Sequence, residues 1–303
     1  MKKRKIRSGR VWRATGGALA ADVIIIAVLV VIMFICLVPF WHTFMASLSD
    51  GQLLTAHDGM LWWYVTEDGL PNWGGYEKTL TYSDFAIIKS YAITIAYLIY
   101  NVAIGFVINV IGGYVLSRKT KLGPFLTIFI MFTMLFNGGI IPTYMVVSRL
   151  GLLNNPLSLV LPSCTNAMFV VLGVNAFRSV PEATIESAKL DGTGHFGLMF
   201  RIMLPQAMGM FIVSMINTAI ISWNAWFEAS IYITSQRDLW PLQIWIKQLT
   251  ADMGDFAMQT NPDWNSYIVT YCVIIVSMVP ILLAMPFVQK QLQKGSLAGA
   301  VKE

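Results

Sequence analysis

Six stretches of the chain carry no Asp, Glu, Lys or Arg: residues 23–41, 90–117, 123–148, 150–177, 202–227 and 264–289. Each is close to or longer than the roughly 20 apolar residues a helix needs to cross a bilayer. Lipid offers no partner to backbone N–H and C=O groups, so a helix is the conformation that carries such a run across. The pattern predicts an all-α membrane protein of about six spans, at Val23–Trp41, Ser90–Leu116, Gly123–Val147, Leu152–Phe177, Gln206–Phe227 and Trp264–Val288. Asn137-Gly138-Gly139 and Pro142 predict a break or kink in the outer half of the third. Pro156 and Pro162 fall near the start of the fourth.

The polar segments set the orientation. Residues 1–22 begin with the basic tail MKKRKIRSGRVWR, Arg118 and Lys119 follow the second span, Arg178 follows the fourth, and Lys290, Lys294 and Lys302 follow the sixth. Basic residues collect on the cytoplasmic side. The N-terminus, the connection 178–205 and the tail 290–303 are therefore expected there, flanking a membrane domain at 23–289. The first run ends in Pro39-Phe40-Trp41 with no A-x-A-like site, so it reads as an uncleaved span. Residues 42–89 have an acidic excess and hold Trp62, Trp63 and Trp73 among Gly69, Pro71, Gly74 and Gly75. They predict a compact, turn-rich loop at the outer interface. Residues 228–263, with Trp240-Pro241, Trp245 and Asp255, read as a second outer loop.

Composition agrees: 56% of residues are hydrophobic and only 12% charged, more apolar than a soluble domain can cover. The formal net charge of +5 is used up by the orienting clusters, which leaves no basic patch for nucleic acid. Cys36, Cys164 and Cys272 all sit in apolar runs without metal-ligand spacing, and His42, His57 and His195 are scattered. No metal site is expected.

One polar connection has structure of its own. In Pro181–Pro205, Ser179 and Glu182 have capping-box spacing and Pro181 suits a first helical turn. Asp191-Gly192 should end that helix, since glycine tolerates the left-handed turn a helix C-terminus needs. A second helix from about Thr193 would carry Phe196, Met199, Phe200 and Met203 on one face, with Pro205 closing it and opening the fifth span. By local pattern alone, this hairpin at 179–205 is a helical handle or an ordinary amphipathic reversal at the interface.

The spacing Glu186-Ser187-Ala188, three residues, Gly192, nine residues, Ile202-Met203-Leu204-Pro205 resembles the EAA signature of membrane subunits of ATP-driven importers. Ser187 replaces the usual alanine and Thr193 a small residue; both are compact. Gly113-Tyr114-Val115-Leu116-Ser117-Arg118, Gly151-Leu152-Leu153-Asn154, Trp223-Asn224 and the terminal 294–302 are similar to segments of carbohydrate-type, maltose-permease-like ABC permeases. The resemblance implies the type I ABC importer fold, with the hairpin as the coupling helix seated on a separate ATPase. It implies as coupling residues Glu182, Glu186, Ser187, Ala188, Asp191, Gly192, Phe196 and Phe200. Glu186 would bond to the ATPase cleft, Ala188 would allow close packing, and Phe196 or Phe200 would anchor in an apolar groove. Implied partners are a second permease chain, a pair of ATPase subunits that bind ATP and Mg, an extracytoplasmic solute-binding protein, and a sugar or oligosaccharide. The implied location is the bacterial cytoplasmic membrane.

No G-x-x-x-x-G-K-[ST] occurs, so the chain is not expected to hold a nucleotide or any cofactor of its own. Ion-coupled carriers keep ionisable groups inside their spans, at ~2.5–3.5 kcal/mol each; the charge-free runs argue against that class. No catalytic constellation stands out, and the chain reads as not an enzyme by itself. A neutral pathway suits a hydroxyl-rich cargo, and Asn101, Tyr144, Asn217, Trp223 and Asn224 are the pathway candidates, with Trp223 and Asn224 preferred. Against each stands a structural role, as interhelical hydrogen bonds for Asn and the aromatic belt for Trp. Two further readings stay open: a permease of the same family with another cargo, and a stand-alone secondary transporter or channel.

Overall fold

The computed structural model describes residues 16–118, 120–136, 138–251 and 265–300. The first part of the basic tail, Lys119, Asn137, Asp255, Trp264 and Lys302 lie outside the described residues, as do the side chains of residues 292–300, Lys294 among them. All regular structure in the described residues is helical.

Helix α1 is Gly16–Ser47, α2 Gly51–Ala56, α3 Gly74–Ser117, α4 Gly123–Leu135 and α5 Ile140–Arg149. They are followed by α6 Leu157–Val160, α7 Ala167–Arg178, α8 Glu182–Leu190 and α9 His195–Gly197. Last come α10 Leu204–Trp223, α11 Phe227–Tyr232, α12 Leu242–Ala251 and α13 Ser266–Ala300. Among the described residues, four helical stretches are long and apolar enough to cross a membrane: Ala20–Ser47, Phe85–Ser117, His195–Trp223 and Tyr267–Gln291. The third predicted span is the bent pair α4 and α5, which meet at 113°, where Gly139 has φ 85°.

The fourth predicted span, Leu152–Phe177, is not one helix. It consists of the single turn α6, an irregular stretch, and α7, whose 12 residues reach only about 18 Å. Pro162 cannot donate to the helical ladder, and Asn166 caps α7 by accepting from Met168 N–H at 2.9 Å. Non-helical backbone at membrane depth must be covered by protein, and one face of α3 covers it. Ser163 Oγ donates to Asn101 Oδ1 (3.2 Å) and Thr165 Oγ1 to Asn109 Oδ1 (2.7 Å). Between those asparagines, a Cβ on Gly105 would lie 1.9 Å from Cys164 O. Asn101, Gly105 and Asn109, four residues apart, form the stripe that receives the break.

Helices α3, α7 and α10 pack together as the centre of the fold, while α1 lies against α13, exposed along most of its length and buried at its end, where Met45 and Ala46 pack with Leu61. The expected second outer loop contributes its large apolar side chains to the core up to residue 251. Trp240, Leu242, Ile244, Trp245 and Leu249 are buried against α3 residues that include Ile87 and Tyr97. Leu242 N–H donates to Thr94 Oγ1 (2.8 Å), and Tyr97 Oη donates to Leu239 O (3.0 Å). Asn154, at φ 56°, clips this segment: its Oδ1 accepts from Thr234 N–H (2.9 Å) and Ser235 N–H (3.0 Å). Finally, α13 continues past residue 289 to Ala300, so residues 290–300 extend the last membrane helix.

Candidate functional site

The hairpin forms where its spacing places it, with altered edges. Helix α8 starts at Glu182, with Pro181 at its N-cap. Ser179 instead follows α7 and donates its Oγ to Ala176 O at 2.8 Å. At the other end Gly192 N–H bonds to Lys189 O and Thr193 N–H to Ala188 O, both at 3.0 Å. These are the two bonds of a Schellman turn, and the left-handed residue it needs is Gly192 at φ +77°. Asp191 is the C-cap.

The second arm does not stop at Pro205. It begins as α9, widens into a π-helical stretch over Leu198–Met203, and enters α10 without a break. A proline removes one N–H and crowds the carbonyl four residues back, here that of Arg201; a wide turn relieves both. The widening also divides the face predicted for this arm. Met199 and Met203 are buried, whereas Phe196 is 78% exposed and Phe200 also faces outward.

The inner side of the hairpin is fastened to the central helices. Ile185, Ala188, Leu198, Met199 and Met203 share a core with Tyr114 of α3, Phe177 of α7 and Phe211 of α10. Ala188 is 5% exposed, so the close packing expected of it is made within this chain. The Tyr114 hydroxyl lies 3.2 Å from His195 Nδ1, and Arg118 Nη1 donates to Met203 Sδ at 3.7 Å. The outer side presents Glu182, Glu186, Ser187, Asp191, Gly192, Phe196 and Phe200. It also presents Leu190, which is 89% exposed between Lys189 and Asp191.

The pathway candidates are not brought together. Asn101 is 3% exposed and bonded to Ser163, which is the interhelical role. Tyr144 stacks on Tyr232 with ring centroids 6.3 Å apart. Burial, with Glu228 adding to it, pushes the Tyr232 phenol above its ordinary pKa, so it stays neutral. The preferred pair splits at the end of α10. Trp223 is 7% exposed and turns into the outer core, where its Nε1 and the neighbouring Ser222 Oγ find no hydrogen-bond partner among the described residues. Asn224 faces out, as does Asn217 two turns earlier. Each donates Nδ2 to the carbonyl four residues back, Asn217 to Val213 O (2.9 Å) and Asn224 to Ile220 O (2.8 Å). Their Oδ1 acceptors form a polar stripe on an apolar helix. Beyond its end, Lys247 Nζ of α12 sits 3.5 Å above the Trp226 ring.

Residues 122–297, which include the hairpin, all of α10 and the outer core segment, match the family model described as "Binding-protein-dependent transport system inner membrane component". The chain belongs to that family. This permease is similar to the polygalacturonan/rhamnogalacturonan transport system permease protein YtcP of Bacillus subtilis, 30% identical over 290 residues that take in 93% of this chain and 98% of the relative. It is also similar to protein LplC of Bacillus subtilis, 33% identical over 228 residues, 73% of this chain and 76% of that one. A solved structure of a bacterial ABC transporter involved in the import of the acidic polysaccharide alginate superposes with a TM-score of 0.80 at 25% identity, covering 93% of this chain and 99% of that chain.

The permease is thus a multi-pass membrane subunit of a binding-protein-dependent importer, and its family is one of non-catalytic subunits. The signature spacing located the hairpin, but it passed over Leu190. A leucine flanked by two charges had one legible signal, since it breaks the inward spacing set by Ile185 and Ala188 on α8.

Proposed function

We propose that the permease carries oligosaccharides inward across the bacterial cytoplasmic membrane, with its hairpin docked on an ATPase subunit on the cytoplasmic side. One observation carries this reading: the exposed hairpin tip is joined to α10 by uninterrupted helix from His195 to Trp223. A push at Phe196 would enter this helix directly, and one at Leu190 or Gly192 would reach it through the packing of Ile185 and Ala188 on Leu198, Met199 and Met203, ending at the polar stripe at Asn217 and Asn224. ATP and Mg would be held by a pair of ATPase subunits, and their closure would draw two coupling hairpins together. That motion would turn the pathway between inward- and outward-facing states. A second permease chain would supply the other half of the pathway, and an external solute-binding protein would deliver cargo. Glu182, Glu186, Ser187 and Asp191 would form the polar rim of the docking surface, with Leu190, Phe196 and Phe200 as apolar anchors.

The named relatives that handle polygalacturonan, rhamnogalacturonan and alginate support a saccharide cargo that includes uronic acids. Lys247 over Trp226 favours this over a wholly neutral sugar, because it sets a cation against a stacking surface near Asn224. Other members carry a different cargo by name, such as sn-glycerol-3-phosphate. The deciding experiment is purification of the tagged chain expressed with its neighbouring genes, followed by ATP hydrolysis in lipid with and without uronate oligosaccharides. The expected result is an ATPase that co-purifies, is released by Glu186→Arg, and is stimulated by saccharide with its binding protein. Recovery of the chain alone, with uptake that runs without ATP, would refute the reading.

A further inference from the structure

The first outer loop holds a cavity that shares no residue with the hairpin or with the α10 stripe. The end of α1, helix α2, the loop after it and the start of α13 line a half-open cavity of about 240 Å³. Among the described residues its polar lining is His42, Thr55, His57, Tyr267 and Tyr271, with Leu61 at the wall and no Asp, Glu, Lys or Arg. Sites that enclose drug-sized ligands run to roughly 300–1,000 Å³, so this one suits a single ring-sized group.

The walls are set before any ligand arrives. Asp50 Oδ2 accepts from Glu67 N–H (2.9 Å) and its Oδ1 from Asn72 Nδ2 (2.6 Å). Asn265 Nδ2 donates to Gly51 O (2.6 Å), and Trp41 Nε1 donates to Trp62 O (2.9 Å). The loop is thereby tied to both α1 and the start of α13.

These ties leave specific groups unspent. Leu61 N–H donates to His42 Nδ1 at 3.0 Å, so the neutral ring carries its proton on Nε2 and still has that donor to give. Thr55 Oγ1 gives its proton to Gln52 O at 2.8 Å and keeps its lone pairs. Tyr267 and Tyr271 lie one turn apart on the same face of α13. The Tyr271 ring stands edge-on to His42 at 5.9 Å. The cavity therefore offers neutral N–H and O–H donors, one hydroxyl acceptor and aromatic surface. That set recognises a compact ring bearing hydroxyls, and among the described residues it lacks the fixed cation that a free phosphate would call for.

We propose that this cavity binds one sugar ring, the terminal residue of the oligosaccharide as it reaches the outer face. The proposal rests on the saccharide cargo argued above. His42 Nε2–H and the two phenols donate to ring hydroxyl or carboxylate oxygens, Thr55 Oγ1 accepts from a hydroxyl, and an aromatic ring covers the apolar face of the sugar.

The test is saturation-transfer-difference NMR on the complete transporter in nanodiscs without ATP, with methyl galactopyranoside and galacturonic acid as probes. Saccharide-stimulated ATP hydrolysis is measured on the same preparation. Both probes are expected to give signal. Tyr267→Phe removes one hydroxyl from an exposed side chain and should weaken Kd by about three- to tenfold; His42→Phe should weaken it further. A transporter whose ATPase responds to saccharide but which gives no NMR signal would overturn the cavity and keep the cargo. Signal unchanged by both cavity variants, or a lipid headgroup found in the cavity that competes with both probes, would also overturn it. Loss of the ATPase response together with the signal would remove the cargo reading as well.

Discussion

The hairpin at 181–205 and the outer segment at 228–251 look alike in sequence, each an amphipathic connection between apolar runs, and they end in opposite states. The outer segment spends its large side chains inside the chain: Trp240, Trp245 and Leu249 are buried, Trp240 Nε1 donates to Ile233 O at 2.7 Å, and Asn154 holds its turn. The hairpin keeps one face fastened to α3 and α7 and leaves Leu190 and Phe196 in the open. Large apolar side chains held out on a well-anchored support are what a protein interface needs before its partner arrives. An amphipathic pattern says that a segment has two faces; it does not say which face the chain itself will satisfy.

The contrast breaks most sharply at the hairpin tip. Leu190→Asp should lower retention of the ATPase subunit at least tenfold in co-purification, the loss expected of a central apolar anchor, with the thermal midpoint of the permease unchanged. An equal fall in both would mean that Leu190 supports the fold rather than a partner. Gly192→Val should abolish saccharide-stimulated hydrolysis with the chain still inserted. A Cβ there meets nothing within 4 Å among the described residues, so the damage comes from the left-handed backbone, at about 1–2 kcal/mol. Gly192→Asn, which tolerates that conformation, should keep most of the activity. If Asn and Val fail alike, the turn argument is wrong.

The corresponding test on the outer side is smaller and should appear in stability. Asn154→Ala deletes the acceptor for two backbone N–H groups and puts alanine at φ 56°, at a combined cost of about 1–3 kcal/mol. The melting temperature should fall and amide exchange in 228–251 should quicken, while ATPase retention stays at the wild-type level. Asn154→Gly should recover the backbone part of the loss alone. Loss of ATPase binding in either variant would erase the distinction between the two regions.

Much of the fold was legible because charge-free runs report directly on the helices that cross lipid. The break in the third span was written in Gly138-Gly139 and Pro142. The break in the fourth had its signals too, Pro162 and an N-cap at Asn166, but an unbroken apolar run outweighed them until the stripe on α3 came into view. Asn101 could not be told from a pathway residue, since a buried asparagine bonded across helices and one facing a channel have the same neighbours in sequence. Trp223 and Asn224 are about 100° apart on α10, so one neighbour goes to the core and the other outward; adjacency in a motif had hidden that. In the coupling set, the turn at Gly192 was readable from a fixed conformational need. The inward turn of Ala188 and the exposure of Leu190 depend on which side of α8 meets α3 and α10, which only packing decides.

The finest test lies where the hairpin meets α3. Tyr114 is buried, its ring is edge-on to Phe177 at 5.9 Å, and its hydroxyl is 3.2 Å from His195 Nδ1. Tyr114→Phe keeps the ring and removes only that link, worth about 0.5–1.5 kcal/mol. The packing that holds Leu198, Met199 and Met203 stays, so the hairpin should remain in place but open more often. Amide exchange over residues 195–203 should rise about two- to tenfold, with 228–251 unaffected. Because the push must cross this arm to reach α10, the ratio of saccharide transported to ATP hydrolysed should fall by a smaller factor. Faster exchange with an unchanged ratio would place the transmission in the apolar contacts alone, and unchanged exchange would mean that the hydroxyl contributes nothing to holding the arm.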